Sequence, residues 1–557
     1  MVREDELIKI LKNIAKLLEL KGENPFKARA YVNAADIIKS ENINIEDAVK
    51  NGTLANIKGF GEALQKKITE FVKTGKMSYY EKLKEEVPEG LFELSTIANI
   101  GPAKAKKLFY ENGITSIDML ERACEEDKLR NLKGFGPKLQ ELILVSIHHK
   151  KASKGRFLQE KITKEAEKLF NDIKQIKGVR RIEITGDYRR FSETLNNIDF
   201  LISTDNDSVQ EEIKSLIKSS DSEIPININF INDEQFIWRL NQTSSSDNFF
   251  AEFEKYAESL GMTTKGDSIC LNNEKMTLDS EEQLYQILKL QYIPPELREE
   301  AKAIEKAKEF KIPSLIKNKD LKGVVHIHSN WSDGKNSISE IATRAKELGF
   351  GYVVISDHSQ SAAYAGGLSI ESVIEQHKEI DRLNEMNPNF KIFKGIESDI
   401  LKDGSLDYPD EILERFDVVI ASVHSSFNMS KSEMTKRIIY ALMSPFTHIL
   451  GHPTGRLLLA RPPYEVDIKD VIQAAADYGK VIEINCNPYR LDLSWENVIY
   501  AKEKGVKISI NPDSHNSGTI TDIFLGVKVA RKGWLESSDV INCLNSNDFY
   551  EFIKSIK

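Results

Sequence analysis

"GVVHIHSNWSDG", residues 323–334, decides how the second half of this 557-residue chain is read. A short run of β-branched residues ends in two histidines, His326 and His328, and an aspartate, Asp333, follows shortly after. The same pattern recurs. "GYVVISDHS" ends near His358, "FKGIESD" carries Glu397, "FDVVIASVHSSF" carries His424, "THILGHPTGR" carries His452, and "VKISINPDSHN" carries Asp513 and His515. Another apolar strand, "KVIEINCNP", runs out at Asn485. Successive strand ends are about 27–39 residues apart, the length of one strand–helix–strand unit, with helix-like stretches such as "SISEIATRAKELGF" and "IKDVIQAAADYG" between them. The period predicts a βα barrel with its candidate ligands at the C-terminal mouth, where such barrels keep their chemistry.

One histidine at a strand end carries no message, because satisfied core and surface imidazoles are common. Here eight of the ten histidines follow residue 320, and six of them stand at strand ends beside three carboxylates. Imidazole and carboxylate donors without thiolates suit Mn²⁺, Zn²⁺ or Fe²⁺, and spacing does not choose among these. The four cysteines (Cys124, Cys270, Cys486, Cys543) lack CxxC spacing, which points to a reducing cytoplasm and to neither a disulfide framework nor a thiolate zinc site.

The front of the chain repeats a different pattern: "NIKGFGEALQKKITEF" (56–71), "IANIGPAKAKKLFYENGI" (97–114) and "NLKGFGPKLQELIL" (131–144). Each sets Gly-x-Gly or Asn-Ile-Gly (Gly59 and Gly61, Gly101, Gly134 and Gly136) before a lysine-bearing helix. Backbone N–H groups at such a helix N-terminus, with the positive end of its dipole, grip a phosphate without reading bases. Lys58, Lys66, Lys67, Lys104, Lys106 and Lys107 add counterion-release affinity. A lone glycine caps helices in any fold; threefold repetition as helix-hairpin-helix motifs points to DNA.

Composition sets the outer bounds. The length asks for three or more domains, and 40% hydrophobic with 29% charged residues is an ordinary globular balance. No apolar run approaches a membrane span, and the N-terminal stretch "MVREDELIKILKNIAKLLEL" is an amphipathic helix pattern unlike a signal peptide. The net charge is −9, yet the first 160 residues are slightly basic, leaving the remainder acidic enough to attract cations. A cytoplasmic monomer is the default expectation.

"NPFKARAYVNAADII" (24–38), the hairpins, the strand pair in "ITGDYRRFSETLNNIDFLIST" (184–204) and "LYQILKLQYIPPELREE" (284–300) resemble, in order, the bacterial family X DNA polymerases, relatives of DNA polymerase beta with a C-terminal PHP (polymerase and histidinol phosphatase) domain. The resemblance covers nearly the whole chain. It implies an N-terminal DNA-end-binding domain at 1–80, fingers at 81–150, a nucleotidyltransferase-like palm at 151–232, a thumb at 233–300, a linker at 301–320 and the PHP domain at 321–557. The linker, charged and helix-prone until Pro313, reads as a semi-rigid joint between palm and barrel. Lys67 falls where repair polymerases place a Schiff-base lysine; as a phosphate-contacting surface lysine it needs no such role.

The palm departs from the family. Two-metal nucleotide transfer needs carboxylates that clamp two Mg²⁺. The family's Gly-Ser is here Gly186-Asp187, its triphosphate-holding arginines Arg189 and Arg190, its carboxylate pair Asn197 and Asp199, and its third carboxylate Asn227. The Tyr-Phe-Thr-Gly-Ser signature has become Asn241-Gln242-Thr243-Ser244-Ser245. Two of three metal-binding charges are gone and Asp187 faces a triphosphate, so this palm reads as a scaffold in which Mg²⁺ is doubtful. The PHP resemblance keeps all nine ligand positions: His326, His328, Glu397 and Asp513 for one metal, Glu397 bridging to a second with His424 and His452, and Asp333, His358 and His515 for a third. Lys335 or Arg456 would bind phosphate at the rim. The implied activity is a 3′–5′ exonuclease or 3′-end phosphoesterase acting in DNA repair on ends, gaps or nicks. The alternatives are an active gap-filling polymerase with PHP proofreading, a non-catalytic DNA-end scaffold and a small-molecule phosphatase.

Overall fold

The computed structural model describes residues 4–556 except 42–43, 58, 221, 266–267 and 272–273. Lys58, one of the expected phosphate contacts, therefore lies outside the described residues. The chain forms two compact units, Met1–Lys154 and Gly155–Lys557.

The first unit is helical, and its three glycine turns share one backbone geometry. Gly59, Asn99 and Gly134 take left-handed φ values of 93°, 70° and 91°. Asn99 replaces glycine because its short amide tolerates that region better than other side chains. The central Phe60, Ile100 and Phe135 are buried in the unit's core. Gly61, Gly101 and Gly136 then cap the helices Glu62–Thr74, Pro102–Lys106 and Pro137–Ala152 in extended conformation, with no side chain satisfying the first-turn N–H groups.

The second unit begins with a three-stranded sheet of β1 (Arg181–Thr185), β2 (Ile198–Ser203) and β3 (Ile226–Ile231), with β2 central, antiparallel to β1 and parallel to β3. Alternation sets its faces. Ile182, Ile184, Ile198, Phe200 and Ile202 bury against the helices Gln159–Lys174 and Asp207–Ser219. Thr185, Asp199 and Asn227 line up in register on the other face.

Residues 301–320, expected as a semi-rigid joint, are packed in place. The helix Lys302–Lys308 buries Ala303, Ile304 and Ala307 in one core with Leu284, Tyr285 and Leu297, and Ile316 and Leu321 belong to the barrel's core. Polar closure reinforces this, because Arg531 donates to Ile316 O at 3.1 Å and to Glu296 Oε1 at 2.7 Å.

The barrel is a parallel sheet of seven strands in sequence order: β4 (Gly323–Ile327), β5 (Tyr352–Ile355), β6 (Lys391–Asp399), β7 (Val418–Ser422), β8 (Ile449–Leu450), β9 (Val481–Asn485) and β10 (Ile508–Asn511). Helices cover the strands, so most read as unbroken apolar runs. The long β6 pairs with β5 through Lys391–Lys394 and with β7 through Gly395–Asp399. The sheet nearly closes on itself: His328 N donates to Ser514 O at 2.9 Å at one end, and at the other Asn542 Nδ2 donates to Ile510 O at 2.8 Å. Phe549 and Ile553 of the C-terminal helix Ser546–Ser555 fill the floor against Tyr352 and Phe393.

Candidate metal centre and the polymerase-like palm

Every sequence-selected ligand of the barrel arrives at the same end. β4 makes this possible by breaking its own alternation. Val324 pairs with Val353 but Ile327 pairs with Ile355, so one extra residue is inserted on β4, and His326 takes a φ of 63°. Such a bulge re-aims a side chain. Asp513 (φ 49°) and His452 (φ 25°) are likewise left-handed, a backbone strain that the surrounding fold must hold.

Glu397, almost wholly buried, is the hub. Its Oε1 lies 2.9 Å from His452 Nε2, 3.3 Å from His326 Nε2 and 3.3 Å from His424 Nε2. Its Oε2 lies 2.9 Å from His358 Nδ1 and 3.7 Å from His328 Nε2. Asp513 Oδ1 stands 3.2 Å from His328 Nε2, and Asp333 Oδ1 stands 3.3 Å from His515 Nε2 and 3.6 Å from His358 Nε2. Among the described residues of the barrel, three groups converge closely enough to hold a metal: His326, His328 and Asp513; His358, Glu397 and His424; and His328, Asp333, His358 and His515. His328 and His358 each belong to two of these groups, a partition different from the one the family resemblance implies.

The donor set fits cations. His326 Nε2, His328 Nδ1, His358 Nδ1, His452 Nδ1 and Glu397 Oε2 are buried without a properly oriented hydrogen bond. Each such atom costs about 1–3 kcal/mol unless something fills the role of its partner. Burial sets the charges as well. It drives His328 down to about 3, assisted by His515 and His358. At His424 burial also opposes the charge, but Glu397 and Asp399 outweigh it and lift the imidazole to about 10.

Sequence reasoning missed the residues that aim the ligands. Glu483 Oε2 meets His326 Nδ1 at 2.6 Å and accepts from Asn511 Nδ2 at 2.7 Å, while its Oε1 accepts from Asn485 Nδ2 and from the backbone N–H of His452. Asp399 Oδ1 meets His424 Nδ1 at 2.6 Å. Asp357 fixes the loop after β4 by accepting from Ser329, Ser332 and Gln376. Glu483 and Asp399 stand two residues from Asn485 and Glu397, so period-two reading of "IEIN" and "IESD" finds them.

Of the two rim cations, Lys335 is exposed beside the bowl, its backbone N–H donating to His515 O at 2.9 Å. Arg456 is not at the rim. Its guanidinium donates to Arg490 O, Leu491 O and Glu193 Oε1. These acceptors take up Nε and Nη2, three of the guanidinium's five N–H donors, and tie it to Glu193 and the backbone of residues 490–491. Arg490 faces the bowl instead, with Nε 3.9 Å from Asp513 Oδ2.

In the palm, Asn227 Nδ2 donates to Asp199 Oδ1 at 2.8 Å, so an amide sits where a second carboxylate would repel. Gly186 (φ 69°) is required, since a Cβ there would lie 2.5 Å from Asp199 Oδ2. Asn197, half-buried, immediately precedes β2. Arg189 donates to Glu281 Oε2 at 2.6 Å, and Arg190 pairs with Asp187 and lies 3.3 Å from Glu299. Lys67, in the first unit, donates to Ala63 O at 3.1 Å beneath the ring of Tyr79, and burial with nearby Lys27 lowers its pKa.

Fold and site together define a polymerase-beta-like scaffold carrying a PHP barrel. Residues 3–77 match a helix-hairpin-helix domain, 92–148 a SAM-like helix-hairpin-helix tandem, 240–299 a DNA polymerase beta thumb and 325–487 a PHP domain, a match that stops short of Asp513 and His515. The chain is 35% identical over 99% of its length, and 100% of the relative's, to the DNA polymerase/3′-5′ exonuclease PolX of Bacillus subtilis. It is 30% identical, over 40% of its length and 91% of the relative's, to a probable phosphatase of Thermoanaerobacter sp. (strain X514). The chain belongs to the PolX family.

Proposed function

We propose that this chain is a DNA-binding, metal-dependent 3′–5′ exonuclease or 3′-end phosphoesterase of DNA repair, acting from the barrel. The observation that carries the reading is the convergence of five imidazoles on Glu397, four of them with an orphaned buried nitrogen. We assign His326, His328, Glu397 and Asp513 to one divalent cation, Glu397, His424 and His452 to a second, and Asp333, His358 and His515 to a third, each Mn²⁺, Zn²⁺ or Fe²⁺. Bound cations there supply Lewis acidity and a water of lowered pKa. Glu483 and Asp399 hold His326 and His424 in the ring orientation that presents Nε2. Arg490, rather than Arg456, takes a phosphate oxygen, with Lys335 as an outer cation. Hydrolysis breaks the P–O3′ bond and releases a nucleoside 5′-monophosphate.

The hairpin turns of residues 56–71, 97–114 and 131–144 hold the DNA backbone at ends, gaps or nicks. The palm is a scaffold that no longer adds nucleotides, because one carboxylate remains and Arg189 and Arg190 are consumed by Glu281, Asp187 and Glu299. Among the described residues no helix is long and apolar enough to cross a membrane. The cysteine spacing read as a reducing environment supports a cytoplasmic enzyme, which we take as a monomer. A 5′-labelled primer on a gapped template with Mn²⁺ tests this. Shortening that ignores dNTPs is expected; extension with dNTPs overturns the scaffold palm and favours a gap-filling polymerase, the activity in the Bacillus relative's name.

A further inference from the structure

An aromatic ring stands in the open at the mouth of the barrel. Tyr364 is 72% exposed, although its ring centroid lies 6.3 Å from that of His358 and 6.5 Å from that of His424. Leaving so large an apolar face to water beside a polar bowl has a cost, and nothing in the packing asks for it. The loop that carries it is fixed. Ala363–Ala365 form a 3₁₀ turn closed by Gly366 (φ 67°), and Ala362 before it and Ala365 at its end are buried. Ser361 donates through its Oγ to Asp399 Oδ2 at 2.9 Å and through its N to Asp407 Oδ2 at 2.6 Å. Asp399 is the same carboxylate that holds His424 through its other oxygen. One side chain therefore sets both a ligand and the tyrosine, and the distance between them is built in.

Asp399, Glu397, Asp333 and Arg490 are all near enough to the Tyr364 phenol to act on it electrostatically. An exposed ring and a guanidinium at one opening form the pair that single-stranded nucleic acid uses, with a face for the base and a cation for the phosphate. A phosphomonoester without a base has no use for the ring.

We propose that Tyr364 is a specificity-determining platform on which the base of the 3′-terminal nucleotide stacks, so that an unpaired DNA end is presented to the Glu397 cluster. This rests on the exonuclease reading above. An unpaired end is favoured because laying a paired terminal base on the ring beside the cluster would first cost its unpairing. The platform is blind to base identity, since every base has a π-face.

The experiment compares wild type, Tyr364→Phe and Tyr364→Ala on single-stranded oligonucleotides whose 3′-terminal nucleotide either carries its base or is a tetrahydrofuran abasic analogue. Binding is read separately in EDTA from the fluorescence of a 3′-terminal 2-aminopurine, which stacking quenches. Tyr364→Ala is expected to lose about 5- to 100-fold in kcat/KM on the terminus with a base. It should lose little on the abasic terminus and should fail to quench 2-aminopurine, while Tyr364→Phe keeps both. An equal loss on both termini, or unaltered quenching in Tyr364→Ala, overturns the platform. A Phe variant as impaired as Ala moves the role from ring to hydroxyl and overturns it as well. Wild type that cleaves p-nitrophenyl phosphate but no DNA end sinks the exonuclease reading itself, and that outcome is visible before any variant is made.

Discussion

Glu193 and Arg456 meet at 2.6 Å between Glu193 Oε1 and Arg456 Nη2, joining the segment between β1 and β2 of the palm to the loop that follows the ligand His452. The contact is mostly sheltered from water, and Phe191, two residues earlier, is part of the barrel's core. Lys532 completes the seam by donating to Arg190 O at 2.8 Å and pairing with Glu299. Palm, thumb and barrel therefore share one folded body in the second unit.

Arg456→Ala leaves Glu193 without its cation and removes the donors to Arg490 O and Leu491 O. Breaking one partner of a sheltered pair costs about 3 kcal/mol. Thermal unfolding of the full chain is expected to show a clear fall in midpoint. The double variant Glu193→Gln with Arg456→Met should recover part of it, because no unpaired charge remains; equal midpoints for wild type and Arg456→Ala would mean that the pair holds nothing.

Glu483→Gln tests the aiming of the ligands. The carboxylate accepts from His326, Asn485, Asn511 and the backbone of His452, and a glutamine can meet only part of that set. Loss of such an orienting carboxylate typically weakens metal affinity about 10- to 100-fold. Metal content after dialysis against graded Mn²⁺, measured by elemental analysis, reads this directly without relying on turnover.

Legibility in the sequence followed physical range. The barrel was readable because its period is local: each strand ends in a ligand and the next lies one helix away, so "GVVHIH" and "FDVVIASVH" announce themselves. The hairpin turns were readable because Gly59, Asn99 and Gly134 are demanded by backbone conformation. What stayed hidden depends on partners far along the chain. Arg456 looked like a rim cation because the residue that claims it, Glu193, lies on a different fold. Residues 301–320 looked like a joint because charge dominates their composition, and only the packing of Ile304 and Ile316 on opposite cores shows otherwise. Glu483 was passed over because carboxylates inside strands are rare, and its partners are four separate donors.

Asn227→Asp addresses the palm. It removes the 2.8 Å amide bond to Asp199 and sets two carboxylates side by side on β2 and β3. Like charges directly opposite are destabilising by up to about 1 kcal/mol. Combined with Asn197→Asp, the variant is expected to melt below wild type in EDTA and to regain the difference in Mg²⁺. A midpoint unmoved by Mg²⁺ would show that this face does not gather a cation even with its carboxylates restored.

The pH dependence of stability turns on Glu281, which sits between Arg298 and Arg189 at 2.5 and 2.6 Å. Burial alone would raise its pKa, but the two guanidiniums overrule it and hold the carboxyl at about 2. The folded value lies below the ordinary one near 4.5, so the unfolded chain binds the proton more readily. The stabilisation is therefore complete above about pH 5 and is lost as pH falls from about 4.5 toward 2. Glu281→Gln removes the titrating charge and leaves the buried Arg298 poorly matched. Urea midpoints of wild type and Glu281→Gln are expected to differ most near pH 7 and to converge as pH drops toward 3. A difference that stays constant across that range would mean that packing, not the carboxylate's charge, is what the residue contributes.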